Sequence, residues 1–173
     1  SEPFPTLYPV GGAAALRREI YTELRGLDPL YAPYYWEDAD LGYRAWKAGY
    51  TVLCVPESVV DHYSGTIAMT QKAQQVQLAQ TANSFLFTWK NLHDPWWCLS
   101  HWLFLGPHCA VSLATGRWAF VRGLLWALRR LPAALKSRRE AKSKALLRDR
   151  EVLRVAAPHA CERSLPRHRT MRR

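Results

Sequence analysis

The pattern of hydrophobic and polar positions predicts alternating helices and strands in the first part of the chain. In EDADLGYRAWKAG, the apolar residues Leu41, Ala45 and Ala48 recur at spacings of four and three, which is the period of one helix face, and Gly49 is well placed to end the helix. The next run, YTVLCVP, is rich in β-branched apolar residues and ends at a proline, so it predicts a buried strand. SVVDHYSG predicts a second short extended segment, and a short helix over residues 17–24 precedes all of these.

Helical patterns dominate the rest of the chain. Glutamines and alanines favour a long helix from Ile67 to about Asn91. Residues 95–116 contain no Asp, Glu, Lys or Arg, but histidine, glycine and proline interrupt them, whereas a membrane span needs about 20 apolar residues without such interruptions. This window therefore predicts an interfacial or hairpin-like pair of helices. Residues 118–135 interleave tryptophan and leucine with arginine, and residues 136–173 predict a basic helix followed by a disordered tail.

The length of the chain suits a single domain, but its charge is distributed unevenly. Its 173 residues suit one domain, or one domain with an appendage. The net charge is +10, yet residues 1–95 hold 7 Lys or Arg and 10 Asp or Glu, whereas residues 96–173 hold 17 and 4. We therefore expect the C-terminal part to contact something anionic. The four cysteines form no C-x-x-C pair and no zinc-ligand spacing, which favours reduced thiols in a cytoplasmic protein. The chain opens at Ser1 without a signal peptide, so we expect it to be part of a longer protein.

Three carboxylates, Glu37, Asp38 and Asp40, lie within four residues, directly after the aromatic residues 34–36. One interpretation is structural, because acidic residues stabilise the first turn of a helix and Asp40 stands four residues before Arg44, with which it can pair. The other is catalytic, because three close carboxylates repel one another and aromatic rings beside a carboxylate shape a tuned general base.

The run GGAAALRREIYTELRGLDPLYAPYYWEDADLGYRAWKAGYTVLCVPESVVDHYSGT resembles the C-terminal half of the catalytic domain of family 2 glycosyltransferases, especially the rhamnosyltransferase-like and galactofuranosyltransferase-like enzymes. A glycine-containing loop, an acidic element of the form E-D-x-D-L-x-x-R, a strand, a P-E-S turn and a histidine follow in that order. The resemblance runs from about Pro9 to Asn91, and WKNL at residues 89–92 also fits. It implies an α/β fold, part of the GT-A (nucleotide-diphospho-sugar transferase) domain, and an inverting reaction.

The resemblance also implies roles for particular residues of the acidic element. Asp38 would be the general base that takes the proton from an acceptor hydroxyl as its oxygen attacks the anomeric carbon of the donor sugar. Glu37 and Asp40 would orient and support the site, Asp40 through Arg44. Trp36 would line the acceptor pocket.

Three further residues are assigned in the same way. Gly11 and Gly12 would keep the acceptor-side loop open. His62 matches the position at which related enzymes place a histidine on a divalent metal, Mn²⁺ or Mg²⁺, and imidazole suits Mn²⁺ better. Without the resemblance, a single histidine is better explained as a partly buried residue at the end of a strand.

The resemblance fails at the donor side, because no D-x-D precedes Tyr8 and too few residues remain there for a nucleotide-binding unit. We therefore expect residues 1–92 to be the acceptor-side half of an enzyme that uses a nucleotide-diphospho-sugar donor and a glycan or lipid-linked acceptor in cell-surface polysaccharide synthesis. The isolated chain is expected to be inactive.

The basic C-terminal region has three interpretations: a membrane anchor, a nucleic-acid patch or a helical appendage. We expect residues 93–135 to form amphipathic or hydrophobic helices at a membrane surface. Tryptophan and leucine interleaved with arginine over residues 118–135 favour a peripheral anchor on an anionic membrane, at the cytoplasmic face. Nucleic acid is not favoured, because no recognised nucleic-acid module is present. The alternative from another class is a non-catalytic module that associates with a membrane or with nucleic acid.

Overall fold

The structure is a computed structural model that describes residues 2–61 and 71–156. Within these residues the chain forms seven α-helices, two 3-10 turns (Gly11–Ala13 and Pro29–Tyr31) and two very short strands, β1 (Phe4–Pro5) and β2 (Leu53–Cys54). The helices are α1 (Arg18–Glu23), α2 (Glu37–Lys47), α3 (Ala73–Asn91), α4 (Pro95–Ala114), α5 (Trp118–Arg129), α6 (Leu131–Ser143) and α7 (Asp149–Ala156).

The predicted α/β fold of the GT-A type is wrong, because the described residues are mostly helical and contain only a two-stranded antiparallel sheet. Phe4 lies opposite Cys54 and Pro5 opposite Leu53, and the Leu53 side chain is 50% exposed. The β-branched run YTVLCVP therefore gives a two-residue strand and not a buried one. A strand is buried only when neighbours cover it, and the one neighbour here is two residues long and includes a proline, which has no N–H to donate.

The observed helices agree with the sequence-based predictions better than the strands do. Helices α1 and α2 lie where the pattern predicts them, and Gly49 ends α2 with a left-handed φ of 85°. Helix α3 ends at Asn91 as predicted but starts at Ala73, and residues 67–70 lie outside the described residues. A single helix, α4, occupies most of the window in which a helix pair was predicted. Pro107 removes one backbone hydrogen bond, which the remaining turns of α4 outweigh.

Among the described residues, no helix combines the length and the apolarity needed to cross a bilayer.

Helix α3 is the centre of the main core and packs against α5 and α6. A side chain at Gly123 would come within 2.6 Å of the Thr81 methyl carbon, so glycine allows α5 to lie directly on α3. The buried residues of this core are Leu30, Tyr31, Ala82, Phe85, Leu86, Trp89, Leu124, Ala127 and Ala134.

Helix α2 lies between several neighbours that fix its position. One side packs Leu41 and Ala45 against Leu24 after α1, and another packs Tyr43 and Trp46 against α7. At Gly42 a Cβ atom would lie 2.5 Å from the Cα of residue 8, so the segment after β1 crosses α2 at backbone distance. The first turn of α2, which carries the three carboxylates, is therefore held by surrounding elements on more than one side.

Candidate functional site

The loop before α2 has an unusual backbone that α3 holds in place. Tyr35 and Trp36 have left-handed φ angles of 72° and 77°, which cost on the order of 1 kcal/mol or more for residues with a side chain. The buried Asn83 amide of α3 donates to the carbonyl oxygens of Tyr31, Tyr34 and Tyr35 at 2.7, 3.0 and 3.0 Å. These three hydrogen bonds fix the direction in which the chain enters α2.

Asp38 is partly exposed and is held by backbone groups. Its Oδ1 accepts a hydrogen bond from the Ala39 N–H at 2.7 Å, and its Oδ2 accepts one from the Gly11 N–H at 3.3 Å. No lysine or arginine in the described residues forms an ion pair with it. The structure thus brings together two of the predicted site residues, Gly11 and Asp38, which are 27 positions apart in the sequence.

Asp40 is fully buried and is the centre of a network of donors. Its carboxylate accepts from the Tyr31 hydroxyl at 2.9 Å and from the Asn91 amide at 2.7 Å, and it pairs with Arg44 Nε at 2.7 Å and Lys90 Nζ at 2.7 Å. The ion pair between Asp40 and Arg44 that the sequence predicts is therefore present. With no exposed surface, Asp40 suits support of α2 better than contact with a dissolved acceptor.

The network continues from Asp40 through Lys90 to the loop after α1. Lys90 Nζ lies 2.7 Å from Asp28 Oδ2, and Arg44 donates to the Leu24 and Gly26 carbonyl oxygens at 2.5 and 2.8 Å. Burial alone would raise the pKa of Asp28, but the Lys90 charge and several hydrogen bonds hold it below its usual value. Removing one partner from such a buried pair costs about 3–5 kcal/mol, so this network fixes α2 firmly against α3.

A second buried cluster joins the end of α2 to α7. Lys47 Nζ lies 2.5 Å from Asp149 Oδ1, and the Tyr43 hydroxyl donates to the same oxygen at 2.8 Å. The other oxygen of Asp149 accepts from the backbone N–H groups of His93 and Asp94 at 2.6 Å each. Burial alone would raise the pKa of Asp149, but Lys47 and Tyr43 hold it below its usual value.

The other predicted site residues are dispersed. Trp36 is half-buried and packs on Phe87, with 5.2 Å between ring centroids. Glu37 buries Oε2 with no hydrogen-bond partner among the described residues. Gly12 lies in the exposed 3-10 turn. His62, the predicted metal ligand, lies outside the described residues. The residues that are described contain no group of three His, Cys, Asp or Glu that could bind a metal ion, so the Mn²⁺ or Mg²⁺ site stays a prediction.

The sequence did not single out several of the residues that build this region. Lys90 and Asn91 lie in WKNL, which was noted only as part of the resemblance, and both contact Asp40. The role of Asn83 was weakly indicated by the sequence, because an amide within an apolar helix face needs buried partners. The roles of Asp28 and Asp149 were not indicated, since their ion-pair partners lie 62 and 102 positions away.

Comparisons with protein-family models, curated proteins and solved structures found no match to this chain. Its function therefore has to be argued from the residues and their geometry.

Proposed function

We propose that this chain is the acceptor-side part of an inverting glycosyltransferase that moves a sugar from a nucleotide-diphosphate donor to a glycan or lipid-linked acceptor. The observation that carries this proposal is the contrast between two neighbouring carboxylates. Asp40 is fully buried and paired with two cations, whereas Asp38 is partly exposed, pairs with no cation in the described residues and is steadied by backbone N–H groups. A general base needs this second environment, because it must reach the hydroxyl that it deprotonates.

In the proposed reaction, Asp38 accepts the proton of an acceptor hydroxyl while that oxygen bonds to the anomeric carbon of the donor sugar. The bond from this carbon to the diphosphate oxygen breaks, and the nucleoside diphosphate leaves with the electron pair. The acceptor oxygen approaches opposite to the leaving group, so the configuration inverts. A positioned carboxylate typically contributes a factor of about 10²–10⁴ to such a step.

The way in which distant segments meet also supports the proposal. The acidic element and WKNL belong to the same resemblance, and in the fold they share one buried network, in which Lys90 and Asn91 contact Asp40. Catalytic groups require a support that holds them to within about 0.5 Å. The network around Asp40 supplies that support to α2, and so to Asp38 two residues earlier.

The test is the substitution Asp38→Asn in the protein as its own cells make it. Transfer of labelled sugar from nucleotide-diphosphate donors into membrane-fraction glycan should fall by about 100-fold or more, because the amide cannot accept the proton. Glu19→Gln removes an exposed carboxylate from α1 and should leave transfer unchanged. Equal rates for the Asp38→Asn protein and the unaltered protein would refute the proposed role.

The 173-residue chain alone is proposed to be inactive, because it lacks the D-x-D and the nucleotide-binding unit on the donor side. Purified chain mixed with donor and acceptor should release no nucleoside diphosphate. Metal-dependent transfer by this chain would contradict that part of the proposal.

A second candidate is a non-catalytic module at the cytoplasmic face of a membrane, and the exposed surface of α4 is consistent with it. Helix α4 exposes Trp96 (65%), Leu103 (65%) and Phe104 (63%), and residues 95–116 carry no charged side chain. Arg117 directly precedes α5 and Arg122 lies within it. Each cation near an anionic surface adds about 1 kcal/mol of attraction. Membrane association fits both candidates, so the Asp38→Asn experiment is what separates them.

A further inference from the structure

A cavity of about 550 Å³ opens between residues 24–30 and one face of α6. Its size falls within the range of about 300–1,000 Å³ that is usual for small-molecule sites. Most of the residues that α6 contributes recur at spacings of three and four, so they form one continuous face of the helix. They are Ala133, Lys136, Ser137, Glu140 and Ala141, with Lys144 continuing the pattern just past the end of α6. Ser143, the last residue of α6, also lines the cavity.

The lining of this cavity is strongly cationic. It contains seven lysines and arginines but only two carboxylates. Four of the cations have carboxylate partners, in the pairs Arg25–Glu140, Arg44–Asp40, Lys47–Asp149 and Lys90–Asp28. The other three, Arg130, Lys136 and Lys144, have no carboxylate at ion-pair distance among the described residues.

Two of these three cations are directed by other contacts, and the third is exposed. The Arg130 guanidinium donates to the Ala32 carbonyl oxygen at 3.1 Å and lies 5.2 Å from the centre of the Trp126 ring. Lys144 donates to the carbonyl oxygen of Glu23. Lys136 is exposed. Apolar walls beside such charges keep the local dielectric low and strengthen the field that an anion experiences.

We propose that this cavity binds a phosphorylated small molecule that carries more than one anionic group. Its phosphate oxygens would lie against Arg130, Lys136 and Lys144, and its apolar part against Leu24 and Leu30. With a rise of about 1.5 Å per residue, the backbone positions of Lys136 and Lys144 are about 12 Å apart along the axis of α6. One phosphate cannot span that distance, but two flexible lysine side chains can both reach a diphosphate. Arginine and lysine are the usual binders of phosphate.

This site is separate from the proposed catalytic carboxylate. Asp38 does not line the cavity, and the carboxylates that do, Asp28 and Glu140, are each paired with a cation. The inference therefore stands or falls independently of the proposed transfer reaction.

The experiment titrates inorganic pyrophosphate into the 173-residue chain by isothermal titration calorimetry. We expect one saturable site per chain, and an affinity at least about tenfold weaker in the double variant Lys136→Gln/Lys144→Gln. The matched control, Arg139→Gln/Lys142→Gln, removes the same charge from exposed positions of the same helix that do not line the cavity, and should change the affinity by less than about twofold. Circular dichroism would verify that both variants are folded.

A second arm distinguishes a free phosphorylated molecule from a lipid headgroup. Phosphatidylcholine vesicles with and without phosphatidic acid are sedimented with the same proteins. Binding that depends on phosphatidic acid and is lost in Lys136→Gln/Lys144→Gln, but not in the control, assigns the cavity to a membrane-borne phosphate. The proposal would be overturned if the two double variants lost binding equally, or if the chain bound neither pyrophosphate nor the vesicles.

Discussion

His93 is held neutral by partners on both sides of its ring. Its Nδ1 accepts a hydrogen bond from the Lys47 ammonium at 2.8 Å, and its Nε2–H donates to the Lys90 carbonyl oxygen at 3.1 Å. A proton on Nδ1 would face the ammonium directly. Burial, reinforced by the charges of Lys47 and Arg138, therefore lowers the pKa of His93 to about 4.

This environment makes stability depend on pH. Between about pH 6.5 and pH 4 the unfolded chain binds a proton at His93 that the folded chain does not, so acidification favours unfolding. The free energy of unfolding should fall by on the order of 2 kcal/mol across this window, a value reduced for solvent screening because the ring is only half-buried. Asp28 and Asp149 have lowered pKa values, so their stabilisation is complete above about pH 4 and is lost only below it.

Urea unfolding at a series of pH values measures this effect. The variant His93→Gln cannot titrate there, so its stability should change less between pH 6.5 and pH 4 than that of the unaltered chain. If the free energy of unfolding changed with pH in the same way in both proteins, His93 would not be the cause of the loss of stability.

At the residue scale, the sequence predicted the contacts that are local or that belong to a known pattern. The Asp40–Arg44 pair follows from a four-residue spacing on one helix, and the resemblance placed Gly11 at the same site as Asp38. The pairing of Asp28 with Lys90 joins residues 62 positions apart, and no local pattern in the sequence specifies which buried cation such an aspartate meets.

At the scale of elements, the contact between α3 and α5 depends on one small residue. A Cβ at Gly123 would lie 2.6–2.8 Å from Thr81 side-chain atoms, so Gly123→Ala should force the helices apart and destabilise the chain by about 1–3 kcal/mol. Gly106 in α4 has no atom within 4 Å of the same position. Gly106→Ala should therefore change stability by less than about 1 kcal/mol.

Thermal unfolding of the two alanine variants checks this prediction. A Gly123→Ala protein as stable as Gly106→Ala would mean that α5 can shift on α3 without cost.

Helices were also easier to predict than strands for a physical reason. Each helix forms its backbone hydrogen bonds within itself, and its buried face appears in the sequence as a 3.6-residue period of apolar residues. The positions of α1, α2 and the end of α3 could therefore be predicted from the sequence. A strand is defined by its neighbours, and within the residues that the structure describes YTVLCVP pairs only with Phe4–Pro5. Residues 136–173 were expected to form a basic helix and then a disordered tail, and α7 lies within this stretch as a separate short helix. Val152 is its fully buried apolar residue and Val155 is partly buried, so its hydrophobic pattern was too weak to set it apart.

At the scale of the whole molecule, α4 presents an apolar surface next to a basic region. Trp96, Leu99 and Leu103 lie on one side of the helix by their spacing of three and four, and all are about half exposed or more. We expect the chain to co-sediment with vesicles that contain anionic lipid, and Leu103→Glu to weaken this binding by about tenfold, since burying a leucine is worth about 1.5–3 kcal/mol.

The control for this experiment is Leu146→Glu, the same substitution at a leucine that is 78% exposed outside α4. It should leave vesicle binding nearly unchanged. Equal losses in the two variants, or equal binding to neutral and anionic vesicles, would contradict an electrostatically assisted anchor at α4.

The pairing of Lys47 with Asp149 has a consequence for how the chain is made. When Lys47 is added to the growing chain, the carboxylate that neutralises it is still 102 residues from being synthesised. At about 5–20 residues per second, the nascent chain waits roughly 5–20 s for it. The helix that carries Asp38 therefore acquires its final neighbours only after another 102 residues have been made, and a chaperone that holds newly made chains would bind this segment while the Lys47 ammonium is still in water.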